Sequence, residues 1–258
     1  MSPGKTPLSS TPYYDELREA MALAGCPVCR LLDQTANVQI DSVLWEMVNV
    51  PAFQEEFQRS RGYCRHHSWM MVRGGAALGI SILMQSVFDV LLETLDQYDN
   101  DTSGHSFQQL RHALGFSPGG RVERLITHLS PQSECPICLI LKPIESGYIS
   151  TLLSHLVNDD ALREIYQQSH GLCLAHLQQG IQSAGSGKSL DALLAAQRHI
   201  WQHLKGQLAE FIRKNDYRFS KEPVGIEGDA WQRALEALYG APPQPPGLGR
   251  GLTSDVKC

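Results

Sequence analysis

Six of the seven cysteines, with three histidines, fall into four short motifs: Cys26-Pro27-Val28-Cys29, Cys64-Arg65-His66-His67, Cys135-Pro136-Ile137-Cys138 and Cys173-Leu174-Ala175-His176. The C-P-x-C pair and the C-x-x-H pair both return after 109 residues. Thiolate sulfur and imidazole nitrogen are the ligands of closed tetrahedral zinc sites. The i, i+3 spacing of C-x-x-H sets both side chains on one face of a helix. C-P-x-C can form a tight turn whose backbone N–H groups face the sulfurs. Taking each copy as a unit, the expected sites are Cys26, Cys29, Cys64 and His67, and then Cys135, Cys138, Cys173 and His176. His66 competes with His67, but the position matching His66 is Ala175, so His67 is assigned. Buried apolar cysteines would not carry a histidine along at a fixed offset. Two zinc ions per chain are expected. An iron–sulfur cluster is the alternative, because three thiolates and an imidazole suit it as well.

Four protein ligands leave no open position for water, which disfavours Lewis-acid catalysis and assigns no catalytic residue. No nucleophile stands beside a base at a recognisable spacing, and no cofactor motif is present. Thirty-four residues separate Cys29 from Cys64, far more than a small zinc finger uses. A metal so placed would staple the ends of a helical hairpin. Structural zinc contributes roughly 10–16 kcal/mol per site, against about 5–15 for a whole domain. Loss of metal should therefore loosen or unfold each unit.

The repeat extends beyond the ligands. At the same offset Val48-Asn49 matches Val157-Asn158, Glu55 matches Glu164, Phe57 matches Tyr166 and Gln58 matches Gln167. Ser60 matches Ser169 and Gly62 matches Gly171, the two glycines standing where a tight turn can start the C-x-x-H helix. After His176 the register shifts by eight, absorbed in the loop Ser183–Ser189.

The elements that must position these motifs are helical. Leu31, Leu32, Ala36, Ile40, Val43, Leu44, Met47 and Val48 step by three and four, one stripe on a helix. Pro51 opens a shorter helix bearing Phe53 and Phe57. A long amphipathic stretch runs from about Leu78 to Tyr98. Strand signals are nearly absent. The expected fold is all-α: two tandem helical repeats, each stapled by a Cys3His metal site, packed as a pseudo-symmetric pair. The organisation reads as a disordered N-terminus 1–11, repeat one 12–99, a linker 100–120, repeat two 121–219, a C-terminal helix 220–240, and a disordered Pro/Gly-rich tail 241–258.

Composition narrows the function classes. The chain has 258 residues, 42% apolar and 19% charged, with a net charge of −5. That balance supports a core and argues against a nucleic-acid binder working by bulk charge. The N-terminus, Pro/Ser/Thr-rich, has no apolar run resembling a signal peptide. No uninterrupted apolar stretch approaches the roughly 20 residues that span a bilayer. A cytoplasmic, non-membrane protein is expected, its thiols reduced and available to a metal.

Other motifs read as structural. Gly185-Ser186-Gly187-Lys188-Ser189 imitates the end of a P-loop, but Gln182 stands where the first glycine belongs and no strand precedes it. His199 and His203 lack the glutamate of H-E-x-x-H and read as a helix face. Glu46 and His155, at matching positions, read as helix-surface residues. Tyr13, Tyr14, Trp45 and Trp69 read as core or interface aromatics. Cys258 has no repeat partner and reads as incidental.

The combination of C-P-[VI]-C, a helix ending near Val-Asn, and S-x-G-[YL]-C-x-x-H, present twice, resembles an uncharacterised bacterial protein family classed as a domain of unknown function. Glu227–Leu235 is similar to that family's C-terminal helix. The resemblance covers about Tyr13 to Gly240; it implies the duplicated helical fold and adds no catalytic residues. The expected role is a zinc-binding helical scaffold for a protein partner. The alternatives are a thiol/zinc redox sensor and an iron–sulfur protein with redox or enzymatic activity.

Overall fold

The computed structural model describes residues 12–103, 119–219 and 221–241. Among them are eleven α-helices and no strand: α1 Tyr14–Met21, α2 Pro27–Ser42, α3 Pro51–Arg59, α4 Arg65–Met70, α5 Ala77–Ser103, α6 Gly119–Leu129, α7 Pro136–Asn158, α8 Asp160–Gln168, α9 Leu174–Ala184, α10 Lys188–Lys214 and α11 Ala230–Tyr239. A π-helical turn, Val43–Met47, continues α2, and a 3-10 turn, Tyr217–Phe219, follows α10. Pro27, Pro51 and Pro136 each occupy the first helical position, where the missing N–H costs nothing.

Helix α5 reaches Ser103 and α6 starts at Gly119, so both ends of the expected linker are helical. The rest of that linker, the N-terminus 1–11, Cys258 and nearly all of the tail lie outside the described residues. The C-terminal helix starts at Ala230, later than expected. The turn before it is set by Glu227, whose carboxylate accepts from Gly225 N at 2.8 Å and from Lys214 Nζ at 2.7 Å.

The chain forms two compact units. One combines the described residues up to Thr35 with those from Leu141 onward; the other is Ala36–Ile140. Thr35 and Ala36 both belong to α2, and Ile140 and Leu141 both belong to α7, so the chain changes unit inside a helix both times. The units therefore do not follow the two sequence copies. Each takes the C-P-x-C end of one copy and the C-x-x-H end of the other.

The first unit, which holds α1, is organised around α7, whose Tyr148, Ile149, Leu152, Leu153 and Leu156 pack with Leu17, Met21, Val28, Leu162, Tyr166, Leu172, Leu193 and Ile200. Leu152, Leu156 and Leu162 are fully buried, each contributing about 1.5–3 kcal/mol. His155 is also buried, against the expectation of a surface residue. Its ring packs on Tyr14 at 4.6 Å, and Tyr14 donates to Asp159 at 2.8 Å. In the second unit Ile40, Phe57, Met70, Met71 and Leu83 are buried.

Several large apolar side chains are exposed. Trp45 and Trp69 are 65% and 63% exposed, so neither is a core aromatic. Leu78, Phe88, Leu92 and Leu95 lie exposed along α5. Ala77–Tyr98 and Pro136–Asn158 are long and apolar enough to cross a membrane by length and composition, with mean hydropathies of 1.5 and 1.2. The criterion of uninterrupted apolar runs missed both, because isolated polar residues break a run without lowering its mean much.

Candidate metal centres

All eight ligand candidates are brought together, in two groups of four. Cys26, Cys29, Cys173 and His176 form one group, and Cys64, His67, Cys135 and Cys138 the other; within each group the donor atoms lie within 4.8 Å of one another. This corrects the expected partition. Each group joins the C-P-x-C of one copy to the C-x-x-H of the other, so no copy is stapled by its own site. The physical reason is the mid-helix change of unit: α2 starts in the first unit and ends in the second, carrying Cys26 and Cys29 away from Cys64 and His67.

Four helix N-termini build the two sites. Cys26 and Cys135 directly precede Pro27 and Pro136, and their carbonyls accept the first helical bonds, from Arg30 N and Leu139 N, both at 3.1 Å. Cys64 and Cys173 are the N-caps of α4 and α9, in extended backbone. The C-P-x-C segment is thus the first turn of a helix rather than a free-standing knuckle. Its backbone N–H groups still serve the sulfur as expected: Cys135 receives those of Cys64, Cys138 and Ile137. The partial positive charge at a helix N-terminus favours thiolates there.

In both groups the histidine points Nδ1 at three sulfurs. His176 Nδ1 lies 3.4 Å from Cys26 Sγ, 3.3 Å from Cys29 Sγ and 3.2 Å from Cys173 Sγ; Cys29 and Cys173 are 3.6 Å apart. His67 Nδ1 lies 3.3 Å from Cys64 Sγ, 3.6 Å from Cys135 Sγ and 3.4 Å from Cys138 Sγ; Cys64 and Cys138 are 3.7 Å apart. A tetrahedron with metal–sulfur legs of about 2.3 Å and a metal–nitrogen leg of about 2.0 Å has S···N edges of about 3.5 Å and S···S edges of about 3.8 Å. The donor sets therefore fit a single ion each.

Surroundings differ between the sites. Behind His176, Glu145 of α7 meets Nε2 at 3.1 Å, a carboxylate that fixes the ring with Nδ1 turned to the sulfurs. Burial pulls His176 toward neutrality, but bonds to Cys173, Cys26 and Glu145 outweigh it and hold its pKa up, at about 12. The His176 bond holds Glu145 below the usual carboxylate range. Cys173 is pulled down by hydrogen bonds from Cys26 and Cys29, and Cys29 is pushed up by the same contacts. In the second unit burial pushes Cys135 and Cys138 up. The residue 109 positions before Glu145 is Ala36, which carries no carboxylate. Nothing in the repeat pointed to Glu145, since only one copy has it.

The turns before the C-x-x-H helices also differ. Gly171 (φ +69°) and Gly62 (φ +85°) both take the left-handed conformation expected of them. Ser60 and Ser169 make the same bond, to the carbonyls of Phe57 and Tyr166, at 3.1 and 2.7 Å. In the first unit, buried Gln197 clamps Leu172 on both sides, accepting from its N–H and donating to its carbonyl at 3.1 Å each. In the second, Phe57 meets Tyr63 edge-on at 5.0 Å, and the Tyr63 hydroxyl is buried with no hydrogen-bond partner among the described residues. In the first unit the residue before the glycine, His170, anchors the C-P-x-C turn: Gly25 N donates to its Nδ1 at 2.8 Å. The matching Arg61 of the second unit donates instead to His128 O, in the last turn of α6.

The remaining motifs stay outside the sites. Residues 185–187 join α9 to α10, which starts at Lys188; a helix–helix connection is not a P-loop context. His199 and His203 line an open groove of about 370 Å³ with His170 and Arg233, and neither belongs to a metal group. Glu46 is exposed and bonded to Ser42.

With this geometry in hand, the comparisons place the chain. It belongs to a family of unknown function, DUF6062, matched over residues 6–245. No curated protein and no solved structure matches it. The matched residues span both candidate metal groups, and the family carries no assigned activity.

Proposed function

We propose that this DUF6062 chain is a zinc-stabilised helical scaffold that works by binding a protein partner. The observation that carries the zinc reading is that the histidine nitrogen stands 3.2–3.6 Å from all three sulfurs in each group, with all four donors within 4.8 Å of one another, which suits a mononuclear tetrahedral ion. An iron–sulfur cluster spreads its thiolates over several irons, which sets ligand sulfurs farther apart than one ion does. Zinc, when bound, offsets two of the three thiolate charges and locks each group. The chain supplies everything else: helix N-termini that offset the sulfur charge, Glu145 that orients His176, and left-handed glycines that turn the backbone into each C-x-x-H. Four protein donors surround each centre, so the sites favour a structural over a catalytic role.

Support for a protein partner comes from Phe88, Leu92 and Leu95, an exposed i, i+4, i+7 ridge on α5. Asp89, Glu93 and Asp96 flank it, which, with the net charge of −5, disfavours nucleic acid and anionic membrane surfaces. A reduced, cytoplasmic setting suits six free cysteines. The deciding experiment is anaerobic purification followed by elemental analysis and an absorption spectrum. Two zinc ions per chain and no visible absorbance are expected; iron with visible bands overturns the zinc reading. Vesicle flotation that retains the protein overturns the non-membrane one.

A further inference from the structure

We infer that Cys64 and Cys138 are the oxidation site of this chain, and that the metal they hold is the one released by peroxide. The inference rests on the metal reading above and divides its two sites by accessibility. Within each group one cross-copy sulfur pair stands close: Cys29–Cys173 at 3.6 Å and Cys64–Cys138 at 3.7 Å. Both members of the second pair are part-exposed, whereas Cys173 of the first is 2% exposed. A peroxide that reaches Cys138 finds its resolving partner also at the surface. One that reaches Cys29 finds a partner enclosed by the core of its unit. The turns differ too: both backbone groups of Leu172, beside Cys173, are held by the buried Gln197 amide, whereas at the matching Tyr63, beside Cys64, the carbonyl accepts from Ser68 Oγ at 3.0 Å.

The chemistry balances with hydrogen peroxide as the oxidant. The Cys138 thiolate attacks one peroxide oxygen, the O–O bond breaks, and hydroxide leaves to be protonated to water. Cys138 is then a sulfenic acid. The Cys64 thiolate attacks that sulfur, an S–S bond forms, and a second hydroxide leaves as water. Two electrons pass from the sulfur pair to the peroxide, and two protons are consumed. The ion loses two of its four ligands and departs into solvent. The disulfide closes a loop between Cys64 and Cys138 and joins the two copies within one unit.

The test uses the full chain carrying Cys258→Ser, which removes the tail thiol and leaves all eight ligands. Metal content is measured first. Peroxide is then added stepwise, with metal release followed by a chromophoric chelator and disulfides mapped by mass spectrometry. The expected result is a plateau at one ion released of two, with Cys64–Cys138 as the disulfide present and Cys26, Cys29 and Cys173 still thiols. Release of both ions together, release from the Cys29–Cys173 group first, a Cys135–Cys138 disulfide, or no release overturns it. A chain that holds two ions and fails in any of these ways overturns this inference alone. A chain purified without metal overturns the metal reading as well.

Discussion

The two candidate metal centres share a donor set and a geometry, yet they are embedded differently. The first, with Cys26, Cys29, Cys173 and His176, is backed by the Glu145 carboxylate, and its adjoining turn is held by Gln197 and His170. The second, with Cys64, His67, Cys135 and Cys138, has Ala36 at the position matching Glu145 and an edge-on aromatic pair beside its turn. The repeat keeps the eight donor residues and lets their surroundings diverge. Ligand geometry is fixed by four short motifs, whereas support is drawn from whichever helix lies behind them. Two sites of one composition can therefore hold their ions with different strength.

The strongest break of this comparison uses double substitutions, because the ligand partition predicts whole ions. Cys26→Ser with Cys173→Ser removes two ligands from one site, so one ion per chain should remain. Cys26→Ser with Cys64→Ser removes one ligand from each site and should empty both. Had each copy kept its own site, these two results would be exchanged. Elemental analysis after gel filtration decides between them. Losing a site's metal should cost on the order of 10 kcal/mol and unfold the unit that holds it.

Next in size are the two left-handed glycines. A Cβ on Gly171 would stand 2.8 Å from Ile200 Cδ1 and 2.9 Å from the Gln197 amide, which is bonded on both faces and has nowhere to move. Gly171→Ala should cost about 2–5 kcal/mol, combining left-handed strain with overpacking. The Cβ of Gly62→Ala makes ordinary van der Waals contacts, with the Phe57 ring at 3.6 Å and Met84 Cε at 3.9 Å, so about 1–2 kcal/mol of backbone strain is expected. Denaturant unfolding of the metal-loaded variants measures both. Equal losses would mean that the Gln197 clamp does not distinguish the units.

Removing Glu145 tests the carboxylate directly. Glu145→Ala should weaken metal binding at the first site about 10–100-fold and leave the second unchanged, read by competition with a chromophoric chelator. An unchanged affinity would show that the 3.1 Å contact to His176 does not tune the site.

The ligands were legible in the sequence, and their pairing was not. Spacing identifies Cys26 or His176 as a donor because local helix geometry is local in sequence. A constant offset of 109 is satisfied equally by sites within copies and between them. Only the helices α2 and α7, each running from one unit into the other, decide which motifs meet. Helix existence was legible wherever apolar residues step by three and four, as in Leu31 to Val48. Burial of individual residues was less so. His155 looks like a surface polar residue until Tyr14, far away in sequence, covers it, and Trp45, read as a core or interface aromatic, is exposed. Glu145 was invisible for the same reason: its partner His176 is 31 residues away, and the other copy offers no match.

The smallest expected effect concerns the choice between two adjacent histidines. His66 touches His67 edge-on, with ring centroids 5.1 Å apart, and lies beside the second site without joining its four donors. On helix α4, residue i+3 from Cys64 lies over the cap, whereas residue i+2 is rotated about 100° further back. Nδ1 of His67 therefore reaches Cys64, Cys135 and Cys138 together, and His66 cannot replace it without unwinding the first turn. His66→Ala should leave two ions per chain and change stability by no more than about 1 kcal/mol, the scale of one lost aromatic contact. His67→Ala should remove one ion. If the two variants behave alike, the second site is not held by the C-x-x-H spacing, and its likeness to the first is one of composition rather than of geometry.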